Sequence, residues 1–359
     1  MRSALVHYWL VPPRRGGEIV LEAIASLMPG ADLIGHVIDR SQMFGSLAGR
    51  DVRETFIHGL PFARKRYQAY LPLMPMALEA LDMSAYDLIV SSEAGPSKWV
   101  IKDPDAYHVC YCHSPLRYIW DQRHLYMQQL PAIFRPVAHA YAGHLRQSDQ
   151  LSAMRVDRFV ANSNFVARRI DSYYRREATV IHPPVDVDRF EVSKNIGDYY
   201  LFAGQLRGYK AAAVAIQACN ISNRKLYVVG GGGNAELRSI AGPTITFLGR
   251  VDDAEYSKLL SECRALLFPG VEDFGIVPVE VMASGRPVIG RAKGGLLDSV
   301  IDRRTGVLYS GTEVDDLIAA IDAFEADDHD ISVQACVSQA ERFGRKHFLD
   351  AFAAVLAER

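Results

Sequence analysis

Two glutamates eight residues apart carry the strongest chemical signal in the sequence. Glu272 lies in a predicted loop after an apolar run, and Glu280 lies just inside a predicted helix that ends near Gly285. A carboxylate near a helix N-terminus can simply offset the helix dipole, and this would account for Glu280 alone. A carboxylate in a loop has no such role and suits hydrogen bonds from sugar hydroxyls. The pair therefore indicates binding of a polyhydroxylated ligand.

Cations and glycines occur together at two predicted helix starts. Residues 14–18 (RRGGE) follow the first predicted strand, and residues 204–210 (GQLRGYK) follow the first strand of a second series. Positive side chains at a helix N-terminus oppose the helix dipole by roughly a few tenths of a kcal/mol each. A bound anion would reverse that cost, and glycine lets a ligand approach the free amides. We predict phosphate binding at both loops; a tight turn with solvated arginines is the alternative for the first.

A third glycine-rich loop follows another predicted strand. Residues 230–233 are four consecutive glycines, of which Gly230 and Gly231 lie nearest the strand. Such a loop lets a base or ribose pack against the backbone, although a flexible connection explains it equally well. No Lys-Ser/Thr pair follows, and the glycine spacing is not a complete dinucleotide fingerprint. The loop therefore supports a nucleotide site without defining one.

The elements that must hold these loops alternate between short apolar strands and amphipathic helices. This pattern predicts parallel sheets covered by helices on both faces. Paired prolines within residues 182–186 (HPPVD) separate two such series, so the sequence predicts two doubly wound α/β domains. Strands are predicted at residues 4–8, 33–38, 88–91, 108–112, 158–161 and 179–181, and then at 199–203, 225–229, 245–248, 265–268, 287–289 and 306–309.

Length and composition agree with a two-domain globular protein. The chain has 359 residues, a formal net charge of −2 and 49% hydrophobic residues, which argue against disorder and against a general nucleic-acid binder. No apolar run approaches the length of a membrane-spanning helix, and the start lacks the apolar core of a signal peptide. The five cysteines form no C-x-x-C pair, so we expect neither disulfides nor a zinc site, and we expect a cytoplasmic location.

Several motifs together resemble those of a known enzyme family. They are E-x7-E with F-G, P-x-E and A-S-G-x-P-V at residues 272–288, R-G-G-E, H-S-P, A-N-S, G-Q-L-x-x-Y-K and a late G-G-L-L-D. In this combination the chain resembles the retaining nucleotide-sugar glycosyltransferases of family 4. The resemblance implies the GT-B fold, in which two Rossmann-like domains face a cleft. We expect an acceptor-side domain at 1–185, a nucleotide-sugar domain at 186–340, and a C-terminal helix at 341–359 that packs back on the first domain.

The resemblance implies a role for individual residues. Lys210 would pair with the donor diphosphate, Glu280 would bind the nucleotide ribose, and Glu272 would bind the transferred hexose near its 3- and 4-hydroxyls. His113 would lie beside the hexose at the reacting face, unless it is a polar residue satisfied at a strand end. We expect His113, Lys210 and Glu272 to be the catalytic residues. Further expected contacts are Gly16, Gly17, Arg207, Phe274, Gly275 and Ile276 with the donor, and Arg15 and Ser163 on the acceptor side.

Two positions depart from the pattern of the family. Many relatives have arginine where this chain has Gln205, and here the arginine comes two positions later, at Arg207. Whether Arg207 replaces it in the diphosphate clamp stays open. Relatives often carry glutamate where this chain has Asp298, which puts a contact there in doubt.

The implied reaction transfers a hexose from a nucleoside diphosphate with retention of anomeric configuration. The overall resemblance is greatest to bacterial mannosyltransferases of O-antigen or exopolysaccharide synthesis, which implies GDP-mannose as donor and a lipid-linked saccharide as acceptor. GDP-rhamnose or a UDP-hexose as donor, and a sugar-nucleotide epimerase of the same fold, are the alternatives. Neither a metal nor another cofactor is expected, since fixed cations would stabilise the leaving diphosphate.

Residues 62–76 predict a contact outside the active site. This segment combines the cations Arg64, Lys65 and Arg66 with aromatic and apolar residues from Phe62 to Met76. Such a mixture suits peripheral docking to anionic lipid at the inner face of the cytoplasmic membrane. A loop packed on the first domain is the alternative.

Overall fold

The computed structural model describes residues 2–12, 16–128, 130–206, 210–232, 235–326 and 331–358. The chain divides into two compact units, one of residues 1–182 with 349–359 and one of residues 183–348. The division falls between His182 and Pro183, slightly before the boundary expected at residue 185. Pro183 and Pro184 favour extended backbone there and exclude a continuous helix.

The first unit is built on a seven-stranded parallel sheet in the order β5-β3-β1-β6-β7-β8-β9. A separate parallel pair, β2 with β4, extends the ends of β1 and β3. The inner strands are almost entirely buried, as expected for a sheet with helices on both faces. The strands are β1 (Ser3–His7), β2 (Trp9–Leu10), β3 (Asp32–Gly35), β4 (Val37–Ile38), β5 (Val52–Glu54), β6 (Leu88–Glu93), β7 (Tyr107–Cys112), β8 (Arg158–Ala161) and β9 (Ala178–Val180).

Within its described residues, six α-helices lie entirely in the first unit. The longest, α5, has 20 residues, and it buries only a narrow stripe that includes Ala142, Leu145 and Asp149. Residues 349–359 also belong to this unit, where the ring of Phe352 lies 6.1 Å from that of Tyr111. The helices are α1 (Gly16–Leu27), α2 (Ala63–Arg66), α3 (Met74–Glu79), α4 (Arg123–Gln128), α5 (Arg135–Met154) and α6 (Asn164–Tyr174).

The second unit has a six-stranded parallel sheet in the order β12-β11-β10-β13-β14-β15. Its strands are β10 (Tyr199–Ala203), β11 (Lys225–Val229), β12 (Ile245–Gly249), β13 (Leu266–Phe268), β14 (Val288–Arg291) and β15 (Gly306–Tyr309). Its helices are α7 (Ala212–Ile221), α8 (Ala235–Ser239), α9 (Asp253–Glu262), α10 (Ile276–Ala283), α11 (Leu296–Ser299), α12 (Val314–Glu325) and α13 (Val333–Glu341), followed by α14 (Arg345–Ala357), which ends in the first unit.

The predicted fold class is confirmed, because both units are doubly wound parallel α/β structures. Sequence reasoning was wrong about residues 33–38, which form two strands rather than one. His36 separates them, and its buried ring hydrogen-bonds to Thr55 Oγ1 (3.0 Å) and to the carbonyl of Pro96 (3.1 Å). Sequence reasoning also missed β5, a three-residue edge strand that contains two charged residues. Among the described helices, none is both long and apolar enough to cross a bilayer.

Candidate functional site

The predicted cation and the predicted loop carboxylate of the second unit contact each other. Lys210 lies in the turn before α7, and Glu272 lies in the loop after β13. The Nζ atom of Lys210 is 2.9 Å from Oε1 of Glu272, and the two side chains are only 13% and 20% exposed. A partly buried ion pair is stronger than one on the surface because water screens it less. The pair forms a fixed positive and negative centre at the carboxyl edge of the sheet.

Two glycines bring the neighbouring loops against this pair. Gly204, after β10, and Gly230, after β11, have φ angles of +140° and +136°. A Cβ atom at Gly230 would collide with the carbonyl oxygen of Gly204, and a Cβ atom at Gly204 would lie 2.8 Å from Nζ of Lys210. Only glycine permits both the backbone angles and this approach. The lysine therefore lies against backbone, with its charge directed to the same edge as these loops.

A second cation, which the sequence analysis did not assign, lies beside the glycine-rich loop. The N–H of Leu206 donates to the carbonyl of Gly231 at 3.1 Å, which joins the loops after β10 and β11. Arg250 follows β12, and its Nε lies 2.9 Å from the place that a Cβ atom of Gly231 would occupy. The only sequence signal for Arg250 is its position directly after a strand, which was too weak to single it out.

The loop after β13 is held by its neighbours up to the start of α10. The carbonyl of Glu272 accepts a hydrogen bond from the N–H of Gly295 at 2.9 Å. Phe274 is buried, and its ring lies 5.5 Å from that of Phe343. Gly275 has a φ of +86° and immediately precedes Ile276, the first residue of α10. Because Gly275 has no side chain to cap the helix, the first amides of α10 are suited to an anionic ligand.

Glu280 lies one turn farther along α10 and has a partner from α9. The hydroxyl of Tyr256 donates to Oε2 of Glu280 at 2.7 Å. Burial raises the pKa of Glu280, while the Tyr256 hydrogen bond and the nearby Arg189 act to lower it. Tyr256 was missed because no local sequence pattern connects it with Glu280. This arrangement fixes a carboxylate whose other oxygen can accept hydrogen bonds from a diol.

At the sheet edge of the first unit, His113 is held by both its ring and its backbone. Its Nε2 lies 2.9 Å from Oγ of Ser92, and its backbone N–H donates to the carbonyl of Glu93 at 2.8 Å. The side chain of Asn162 donates to the carbonyl of His113 at 2.9 Å. His113 is thus positioned rigidly at the end of β7, and its half-buried ring lies close to Gly17.

The start of α1 lies next to His113. Gly16 is the first residue of α1, as the sequence predicted, and a Cβ atom at Gly17 would lie 3.2 Å from the Tyr8 hydroxyl and 3.9 Å from Nε2 of His113. The neighbouring His7 is neutral at pH 7, because burial and then the charge of His113 lower the pKa of His7 to about 3. A helix N-terminus, a histidine and a tyrosine hydroxyl therefore converge at this edge.

A buried ionic cluster contains Glu93, whose backbone carbonyl accepts the N–H of His113. The carboxylate of Glu93 pairs with Nζ of Lys98 at 3.0 Å, and Lys98 also pairs with Asp149; all three are fully buried. Trp120 and Tyr174 donate to the second oxygen of Asp149 at 2.7 and 2.8 Å. The cluster connects β6 to α5. It therefore holds in place the Glu93 carbonyl that bonds to His113.

The remaining predicted residues fall into two groups. Ser163 is fully buried and caps α6, with its hydroxyl accepting the N–H of Val166 at 3.1 Å, so it orders the start of the helix. Arg14, Arg15 and Arg207 lie outside the described residues. The structure therefore brings Lys210, Glu272 and the glycine loops together in the second unit, and Gly17 and His113 together in the first.

Two protein-family models match the chain. The model described as Glycosyltransferase Family 4 matches residues 16–189, and the model described as Glycosyl transferases group 1 matches residues 186–344. Every described residue of the two candidate sites, apart from Tyr8 and His7, lies within one of these ranges.

Known proteins extend this comparison. The D-inositol 3-phosphate glycosyltransferase of Mycobacterium marinum is 28% identical over 193 residues, a match that covers 46% of this chain and 41% of the relative. The chain therefore spans less than half the length of the curated relatives it matches. Two solved structures share its fold over 98% or more of both chains. They are sucrose-phosphate synthase from Thermosynechococcus elongatus (TM-score 0.72, 17% identity) and Anabaena HepE in complex with UDP and glucose (TM-score 0.70, 16% identity).

Proposed function

Because the chain belongs to the retaining GT-B glycosyltransferases of family 4, we propose that it transfers a hexose from a nucleoside diphosphate to an acceptor hydroxyl, retaining the anomeric configuration. The observation that carries the proposal is the Lys210–Glu272 ion pair at 2.9 Å, enclosed by glycine loops at the carboxyl edge of a parallel sheet. Ligands of open α/β sheets bind at this edge.

The second unit binds the donor. Lys210 neutralises the diphosphate, and Gly275 with the first amides of α10 adds fixed dipoles. An ammonium group has three N–H donors, so Lys210 can bind a phosphate oxygen and still hold Glu272. Glu272 then accepts hydrogen bonds from the hexose hydroxyls. Phe274 and Ile276 contribute backbone contacts on either side of Gly275.

The nucleoside lies against the glycine loops. Glu280, oriented by Tyr256, accepts hydrogen bonds from the ribose hydroxyls. Gly230 and Gly231 leave their backbone accessible to the ribose or base. Arg250 beside Gly231 supplies an additional positive charge. Arg207 is proposed as a further ligand of the diphosphate.

The first unit binds the acceptor side and contributes to the reacting face. His113 approaches the transferred hexose, and Gly16 and Gly17 approach the diphosphate. Arg15 and the helix start that Ser163 caps line the acceptor side. The acceptor hydroxyl attacks the anomeric carbon on the face from which the diphosphate departs, and its proton passes to the departing diphosphate oxygen. Glu272 binds sugar and is not a covalent nucleophile in this mechanism.

The donor that we propose is GDP-mannose, on the strength of the sequence resemblance to bacterial mannosyltransferases. The acceptor is a lipid-linked saccharide of cell-surface polysaccharide synthesis. A UDP-hexose is the second candidate, since HepE, which has the same fold, was solved with UDP and glucose. No metal is needed, because Lys210 and the helix amides balance the charge of the leaving group.

A transfer assay tests this function. The protein is incubated with GDP-mannose, GDP-rhamnose or UDP-glucose and a polyprenyl-diphosphate-linked saccharide, and the product is analysed by mass spectrometry and NMR. We expect one donor to give a glycosylated product with the anomeric configuration of the donor. Sugar interconversion without an acceptor would identify an epimerase, and donor binding without turnover would identify a sensor; either result would overturn the proposal.

A further inference from the structure

Large exposed apolar side chains occur in two contacting segments of the first unit. Phe62, Ile133, Phe134 and Val137 are 71, 80, 60 and 71% exposed. They come from two segments, residues 62–76 and residues 125–145, and we call this region the apolar face. Clusters of exposed large apolar residues mark interaction sites, whereas isolated ones need no explanation. Leu73, Met76, Leu125, Tyr126 and Leu130 add partly exposed apolar surface from the same segments.

The two segments are joined around an apolar groove. The hydroxyl of Tyr141, on α5, donates to the carbonyl of Pro72 at 2.6 Å. The groove has a volume of about 490 Å³ and is lined by residues of both segments, such as Leu71, Met127 and Leu145, and by Tyr118, which lies between the segments in sequence. Tyr67 anchors the first segment inward, since its ring packs 4.7 Å from that of Trp9. These contacts therefore hold in place the two segments that carry the exposed apolar residues.

The backbone holds Phe62 outward at an energetic cost. Phe62 precedes α2 with a φ of +57° and a ψ of +20°, the left-handed conformation. A bulky residue rarely adopts this conformation, and such strain is retained where another requirement supports it. An exposed aromatic ring fixed in a strained conformation is consistent with a binding role.

The charged residues within the two segments have one sign. Residues 55–78 contain Arg64, Lys65 and Arg66 but no aspartate or glutamate, and residues 122–148 contain three arginines and again no acidic residue. Arg64, Lys65 and Arg66 are all exposed next to Phe62. Hydrogen bonds from Ser41 and then the charge of Arg64 lower the pKa of Asp39, so Arg64 has one acidic neighbour outside the two segments. The face thus combines apolar side chains with an excess of cations.

We propose that the apolar face binds the surface of an anionic lipid bilayer. Phe62, Ile133, Phe134 and Val137 enter the interface, while Arg64, Lys65 and Arg66 contact lipid headgroups. Pairing with a second copy through the same face would oppose like charges across a two-fold axis, which disfavours self-association. The proposal goes beyond glycosyl transfer, because it concerns where the protein works and does not depend on its donor.

Vesicle sedimentation of the full chain tests the proposal directly. We expect binding to phosphatidylcholine vesicles that contain 30% phosphatidylglycerol, and much weaker binding to phosphatidylcholine alone. Replacing Arg64, Lys65 and Arg66 together by glutamine should lower the partition coefficient by about 100-fold at low salt. Replacing Ile133, Phe134 and Val137 together by serine should lower it by a similar factor.

A matched control uses the far end of the same helix. Leu151 and Met154 on α5 are 61 and 74% exposed but lie outside the apolar face. The double variant Leu151→Ser/Met154→Ser should bind vesicles like the wild type. Equal loss in this control, or no binding of the wild type to anionic vesicles, would overturn the proposal. Conversion of a dimer to a monomer by the Ile133, Phe134 and Val137 variant, without vesicle binding, would instead assign the face to self-association.

Transfer to a water-soluble acceptor separates this proposal from the proposed function. The apolar-face variants should keep wild-type donor affinity and wild-type turnover with such an acceptor, because none of the substituted residues touches either candidate site. Loss of vesicle binding with retained turnover would support the membrane surface. Loss of both in folded protein would contradict it.

Discussion

The Lys210–Glu272 contact joins the two charges that the sequence pointed to separately. A lone lysine at this edge could adopt many rotamers, whereas Glu272 holds its ammonium group at 2.9 Å. Restricting the lysine before the donor binds lowers the entropy lost when the diphosphate is bound. We therefore infer that Glu272 orients the cation, in addition to its proposed contact with the hexose.

Tyr256 should act on the nucleotide site through Glu280. The variant Tyr256→Phe removes the 2.7 Å hydrogen bond to Oε2 but keeps the ring. A hydrogen bond to a charged group contributes about 1.5–3 kcal/mol, so the Kd for the nucleoside diphosphate should rise by roughly tenfold or more. Turnover at saturating donor should change little, because Tyr256 touches no reacting atom. Calorimetry and steady-state kinetics measure the two effects separately.

The same variant should change how binding depends on pH. The Tyr256 hydrogen bond lowers the pKa of Glu280, so its removal raises that pKa further. Nucleotide binding needs the ionised carboxylate. As the pH is lowered, binding to the variant should therefore begin to weaken at a higher pH than binding to the wild type. Tyr227→Phe is the control, since Tyr227 stacks on Tyr199, whereas the hydroxyl that donates to Glu280 is that of Tyr256. Equal pH profiles for Tyr256→Phe and the wild type would contradict a positioning role.

At the residue scale, sequence reasoning found the groups whose chemistry is visible in their local context. Lys210 and Glu272 were found because a cation beside glycines and a carboxylate in a loop are each unusual. Their contact was not predicted, since no pattern in the sequence connects β10 to the loop after β13. Ser92, Tyr256 and Arg250 were missed for the same reason: each matters through a partner that only the fold brings close.

At the scale of elements, close packing of the loops determines the shape of the proposed donor site. Gly204 and Gly230 both have positive φ angles, and the backbones of their loops touch. The loop after β13 is fixed in turn by the Gly295 N–H. Backbone atoms therefore form much of this site, and substitutions that remove one side chain leave these contacts in place.

The variant Gly230→Ala should disrupt the donor site while the fold persists. Its Cβ atom would collide with the carbonyl oxygen of Gly204, so the two loops must separate. We expect donor affinity to fall by about 100-fold, since an overpacked contact costs roughly 1–3 kcal/mol. Gly232→Ala is a matched control, because Gly232 also has a positive φ, +91°, but nothing lies within 4 Å of the added atom. Equal affinities in the two variants would show that strain, and not the loop contact, matters.

Element prediction succeeded where buried strands are continuous and failed where they are short or interrupted. β8, β10, β11 and β15 have the predicted bounds, since each is an apolar run between clear breaks. The single strand predicted at 33–38 is broken because the buried ring of His36 bonds to Thr55 and Pro96, both distant in sequence. β5 was missed because an edge strand of three residues needs no apolar pattern.

At the scale of the whole molecule, histidines are unevenly distributed along the chain. Nine of the eleven histidines lie at or before residue 182. His7, His36 and His108 are almost completely buried, and burial lowers their pKa values to about 3, 4 and 3. Each is neutral in the folded protein at a pH where the unfolded chain would bind a proton. The free energy of unfolding of the first unit therefore depends on pH.

The variant His108→Gln should reduce the acid sensitivity of the protein. The pKa of His108 is lowered on folding, so its contribution is complete above the unfolded value of about 6.5 and is lost as the pH falls towards 3. Between pH 7.5 and 5.5 the wild type should lose about 1.4 kcal/mol more than His108→Gln. Guanidinium denaturation at the two pH values measures this difference. The His139→Gln variant, which replaces an exposed histidine, should behave like the wild type. A pH dependence in His108→Gln equal to that of the wild type would show that His108 is not responsible.

Lys210 is proposed to stabilise the departing diphosphate, and the kcat of the Lys210→Met variant measures this effect. With saturating donor and acceptor, we expect kcat to fall by about 10²–10³, the effect of removing one group that stabilises developing negative charge. Lys225→Met is the control, since Lys225 pairs with Asp198 on the surface of the same sheet, with side chains 53 and 73% exposed. We expect a large loss of kcat for Lys210→Met and wild-type kcat for Lys225→Met. Wild-type kcat in a folded Lys210→Met protein would contradict it.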